Sequence, residues 1–192
     1  MEAAENFTNW IEKADCSWYE ENAAKEVYEI RSAEQLAGLA KLVNEGNSFD
    51  GKTIKLLADI DLQNVEWTPI GNDNQKTFNG TFDAYDETKS KNHVISNLKI
   101  TKSLATDNHI GLFGNCGSKA TLKNIDIQNV DLIGRLYVGA IAGRGYLSNG
   151  IENCHVYGSV EIEGYWYVGG ISGRWEYTTD GIKECSVKGT AD

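Results

Sequence analysis

A pattern that returns at a nearly constant interval restricts the fold of this chain more than any other feature. Ile110-Gly111-Leu112-Phe113-Gly114, Val138-Gly139-Ala140-Ile141-Ala142-Gly143 and Val168-Gly169-Gly170-Ile171-Ser172-Gly173 align, with first glycines at 111, 139 and 169. A second pattern keeps the same pace, in segments that begin at Ile95, Leu122, Ile151 and Ile182 and are 27, 29 and 31 residues apart. Two independent patterns with one period mark an internal repeat, and a repeat of this length implies stacked units that bury a core only together.

Within each unit, apolar and polar residues alternate as in a strand with one buried face. Leu98/Ile100, Ile125/Ile127, Cys154/Val156 and Cys185/Val187 point one way, and Lys99, Asp126, His155 and Ser186 the other. A further short strand follows, Val130/Leu132 in one unit and Val160/Ile162 in the next, each ending at a glycine, Gly134 or Gly164. Three short strands in a unit of 28–31 residues describe one coil of a β-solenoid. With 20 Gly against the single Pro69, tight glycine turns are expected at the sheet corners.

Ahead of the coils the period changes. Ser32 with Gln35 reads as a capping box, Leu36, Leu39, Ala40 and Val43 follow at helical spacing, and Gly46 suits the stop. The expected helix over 33–44 covers the open end of the first coil, and Trp10, Trp18 and Tyr28 are expected to pack on it. Residues 54–62 read as the first coil's strand. The organisation is therefore an N-terminal segment and capping helix over 1–50 and coils over 51–192, one structural domain whose last coil is truncated and which reads as a piece of a longer protein.

A net charge of −10 argues against nucleic acid or an anionic membrane as partner, and no apolar run reaches the roughly 20 residues of a membrane span. The acidic start, Met1-Glu2-Ala3-Ala4-Glu5, shows no signal peptide. Cys16, Cys116, Cys154 and Cys185 form no CxxC pair, so no metal is expected. Cys154 and Cys185 fall at one inward position of adjacent coils and suit a core ladder. A pairing of Cys16 with Cys116 stays open.

Several ordered motifs carry a family resemblance. Ile30-x-Ser32-Ala33-Glu34-Gln35-Leu36, Ala58-Asp59-Ile60-Asp61-Leu62, Trp67-Thr68-Pro69-Ile70-Gly71 and Phe78-Asn79-Gly80-Thr81-Phe82-Asp83 resemble the opening of GLUG-motif β-helix proteins. Val168 to Gly173 and its two relatives resemble the GLUG repeat itself. The likeness covers about residues 28–192. It implies an all-β fold, a right-handed parallel β-helix with an N-terminal α-helical cap. It also implies a secreted or cell-surface bacterial module that acts as an adhesin or stalk without catalysis. Its partner would be a surface glycan or protein. One departure is the charged stretch Ala84 to Lys91 before His93, read as a surface insertion ahead of a recognition loop.

Parallel β-helices also carry polysaccharide lyases and hydrolases, which need converging carboxylates or a base. Asp59 and Asp61 share a face but suit turn hydrogen bonds better than catalysis, and Asp73 reads as a turn former rather than a calcium ligand. His93, His109 and His155 are scattered and read as surface residues, and Trp166 reads as core by parity with Val168. No catalytic residue is assigned and no cofactor is expected. The stronger lead is aromatic. His109, Tyr137 and Tyr167 precede the three repeat positions and should form an outward column, with Tyr146, Tyr165, Trp175, Tyr177, Arg144 and Arg174 nearby. Such a column suits a carbohydrate-binding module as the alternative function.

Overall fold

The computed structural model describes residues 7–21, 23–101, 108–146 and 148–189. The chain winds into a parallel β-solenoid of about five turns. One face is built from Val27–Ile30, Thr53–Leu56, Thr81–Asp83, Thr121–Lys123, Gly150–Glu152 and Gly181–Lys183. A second stacks Ile60–Asp61, Lys91–Thr101, Ile125–Ile133, His155–Glu163 and Ser186–Gly189. Two shorter faces close each coil: Asn108–Ile110, Leu136–Gly139 and Trp166–Gly169, then Phe113–Cys116, Ala142–Tyr146 and Ser172–Glu176. The face-to-face ladders are parallel throughout, as expected when each strand pairs with its copy one coil away.

The expected register holds on the first face, where Leu122 pairs with Ile151 and Ile151 with Ile182, and it extends back through Phe82, Ile54 and Tyr28. Ile95 does not belong to that rung. It pairs with Ile60 and Ile127 on the second face, and Leu98 and Ile100 pair with Val130 and Leu132. The cause is that each coil turns twice on the same local pattern, an apolar residue, a spacer and a left-handed asparagine. Asn97 and Asn129 form one corner and Asn124 and Asn153 the other, all with φ between 51° and 61°. Residues 54–62 likewise divide into two strands on two faces.

These corners are chiefly asparagine work, because asparagine tolerates the left-handed region, with Gly158 (φ 88°) following Asn129 and Glu184 (φ 55°) following Asn153 one coil on. The side chains stack coil on coil: Asn153 Nδ2 donates to Asn124 Oδ1 at 2.8 Å, and Asn124 Nδ2 to Asp83 Oδ1 at 2.7 Å. Asn129 Nδ2 donates to Asn97 Oδ1 at 3.1 Å. The repeat glycines serve close approach instead. A Cβ on Gly139 would lie 2.5 Å from Ser172 Cα, and one on Gly143 2.5 Å from the Tyr137 carbonyl. Gly134 and Gly164, expected at corners, also keep negative φ and make room for Ile110 and for Val138 and Val168.

The core runs continuously through the coils; Leu122, Ile125, Ile127, Ile151 and Val156 are fully buried. The helix Ala33–Asn44 starts where expected, with Ser32 Oγ accepting from Gln35 N–H, although the Gln35 amide reaches Arg31 N–H at 2.8 Å. Leu36, Leu39, Ala40 and Val43 are buried against the first coil. Trp18, Tyr19, Tyr28 and Phe49 pack ring on ring beside it, and Trp10 donates to the Leu62 carbonyl at 2.9 Å. At the other end the inward residues Val168, Ile182 and Val187 are 43–46% exposed, since no described strand covers them.

Candidate functional site

The carboxylates follow the structural reading. Asp61 Oδ1 accepts from Gln63 N–H and Asn97 Nδ2, and Asp73 Oδ1 from Gln75 and Lys76 N–H. Asp59 Oδ1 accepts from Val94 N–H and lies 3.0 Å from His93 Nδ1. Two histidines depart from the sequence reading, His93 and His109, each only 5% exposed. His93 occupies the rung held by Ile125 and Cys154, a core position, between Asp59 and Asp86. The charged stretch before it closes as a short antiparallel ladder, Tyr85 with Asn92 and Asp86 with Lys91. Asp86 accepts from Thr88 Oγ1 and from Thr88 and Lys89 N–H, which holds its carboxyl well below the usual range.

All four cysteines are free thiols. Cys154 is fully buried, and Cys185 stacks above it, half-buried. Burial pushes the Cys154 thiol up, whereas the Cys154 hydrogen bond pulls Cys185 down. Cys16 donates to the Gly38 carbonyl beside the capping helix, and Cys116 is buried on the fourth face, which separates them.

The aromatic column exists. His109, Tyr137 and Tyr167 sit at equivalent corners with φ of 63°, 53° and 57°, a region costly for large side chains. Their rings stack at 5.2 Å and 5.3 Å between centroids, tilted by 27° and 20°. Arg144 lies 5.4 Å over the Tyr137 ring and Arg174 4.8 Å over the Tyr167 ring. Glu176 binds both guanidiniums, Arg144 at 3.3 Å and Arg174 at 2.6 Å. Burial, helped by Arg144 and opposed by Asp73, pulls His109 down to about 4, so its ring is neutral at neutral pH.

Tyr137 is thus held between two rings, whereas Tyr167, with one stacked ring neighbour, is 48% exposed. Tyr146, expected near the column, carries the Arg144 guanidinium 5.3 Å over its own ring and meets Tyr177 edge to face at 5.6 Å. Trp175 turns the other way and packs on the core over Gly145, where a Cβ would lie 2.3 Å from its ring. Trp166 is 63% exposed rather than buried, because the left-handed turn at Tyr167 breaks its alternation with Val168. Beside Arg144 and Tyr146 opens a hollow of about 360 Å³.

Coil, corner and column together define a parallel β-solenoid repeat module. Over 164 residues the chain is 30% identical to halomucin of Haloquadratum walsbyi (strain DSM 16790 / HBSQ001), a match that covers 81% of this chain. The chain spans only 2% of the length of that relative. No protein-family model matches the chain. No solved structure matches it either.

Proposed function

We propose that this chain is a non-catalytic module of a secreted or cell-surface protein, a stalk or adhesin scaffold that projects an outer face from stacked coils. The observation that carries this reading is the single uninterrupted ladder from Tyr28 to Ile182, in which each strand pairs in parallel with its copy one coil away. The likeness to 2% of a much longer protein supports a part that acts within an extended chain. Asp59, Asp61 and Asp73 are engaged in corner and turn hydrogen bonds, which favours structure over proton transfer at these positions. No helix among the described residues is long and apolar enough to cross a membrane, which fits a module that stands outside the bilayer.

Antibody against the chain should label intact source cells, and protease should remove that signal without lysis; labelling only after lysis refutes surface display. Uronic-acid and neutral polysaccharides incubated with the protein should stay uncut. Product formation would overturn the non-catalytic assignment.

A further inference from the structure

Ligand stacking on an aromatic residue needs a free ring face; in the column His109 is buried and Tyr137 lies between two rings, which leaves Tyr167 at its end. The hollow next to it is differently built. It is walled by Asn74, Thr77, Asn115, Ser118, Arg144 and Tyr146, with the backbone of Cys116 and Gly117 as floor. At about 360 Å³ it falls within the roughly 300–1,000 Å³ of small-ligand sites. Tyr146 is 43% exposed there.

Its chemistry is amide, hydroxyl, guanidinium and one aromatic wall, the set that meets a sugar's hydroxyls and its apolar ring face. None of the described residues lining it bears a carboxylate. Arg144 Nη1 donates to Asn74 Oδ1 at 3.3 Å, while its Nε–H is shut off from solvent without a partner among the described residues. Glu176 is shared by Arg144 and Arg174, so two cations meet one carboxylate. The trio leaves one positive charge on a chain of net charge −10. Two cations thus share one carboxylate beside a hollow whose described lining bears none, a balance suited to an acidic ligand.

We propose that the hollow binds a hexuronate residue of a glycan, its ring on Tyr146, its carboxylate on Arg144 and its hydroxyls on Asn74, Asn115, Thr77 and Ser118. The site does not depend on the scaffold reading, because a stalk without it would still be a stalk.

Calorimetric titration with trigalacturonate, and with galactotriose as the neutral counterpart, tests it. Trigalacturonate should bind, with affinity falling about tenfold in both Tyr146→Ala and Arg144→Gln, and it should weaken as salt is raised. Asn74→Ala, at an exposed position that leaves the fold alone, should weaken it about threefold through one lost hydrogen bond. Tyr85→Ala, on another face, should change nothing. Absence of trigalacturonate binding, or binding unchanged in the Asn74 and Tyr146 variants, overturns the site. Equal affinity for galactotriose overturns the assignment of the carboxylate to Arg144.

Discussion

Truncating one rung at a time tests the stacked core directly. Ile54, Leu122, Ile151 and Ile182 share one ladder, and the first three are fully buried whereas Ile182 is 44% exposed. Replacing a fully buried Leu or Ile by Ala removes its transfer free energy and leaves a cavity, about 2–5 kcal/mol. Leu122→Ala lies between Phe82 and Ile151 and should fall at about 4 kcal/mol. Ile54→Ala should cost nearly as much, because Tyr28 and Phe82 flank it on the same ladder. At Ile182 nearly half of the side chain already meets water and no cavity can close over it, so about 1 kcal/mol is expected. Urea unfolding followed by tryptophan fluorescence gives the free energies, with hydrogen exchange reporting whether the last coil opens separately. At about 2–4 °C per kcal/mol, Leu122→Ala should lower Tm by roughly 8–16 °C and Ile182→Ala by under about 5 °C. Equal losses at Leu122 and Ile182 would refute the argument, since they would mean that the last coil's inner face is covered in solution.

Three further outcomes follow from the corners and the thiols. His109 is pulled below its unfolded value, so its contribution is complete above about pH 6.5 and is lost as pH falls towards 4; roughly 3 kcal/mol is at stake, and His109→Asn should flatten that part of the Tm profile. At Asn153, in a left-handed corner with stacked amides, stability should rank Asn above Gly above Ala, with Ala about 2–3 kcal/mol lower in urea unfolding. Iodoacetamide at neutral pH should alkylate Cys185 well before Cys154 and Cys116, as read by mass spectrometry; equal rates would contradict the burial described.

What the sequence discloses is set by how local each feature is. The ladder through Leu122, Ile151 and Ile182 and the helix at 33–44 are legible because apolar spacing alone specifies them. The rung of Ile95 is not, because Asn97 and Asn124 punctuate two different corners with the same local pattern. Trp166 is misplaced by parity because a left-handed residue resets the alternation that parity assumes. His93 shows no sign in sequence of filling a core rung, since its neighbours Asp59 and Asp86 come from the turn before Ile60 and from a hairpin. Of the site, the column is legible from the residue preceding each repeat. The hollow is not, because Asn74 and Thr77 reach it from a loop some 70 residues before Arg144.

The direction of the hydrogen bonds has a mechanical consequence. Apart from the short hairpin of Tyr85–Asp86, the described strands pair with the coil before and the coil after, so the bonds run along the solenoid axis and a pull on the two chain ends should load them one rung at a time. The helix covers the first coil, which should therefore resist longest. Each freed coil of about 30 residues pays out roughly 100 Å of chain at a contour of ~3.3–3.6 Å per residue. Such a stack should lengthen stepwise under tension instead of snapping.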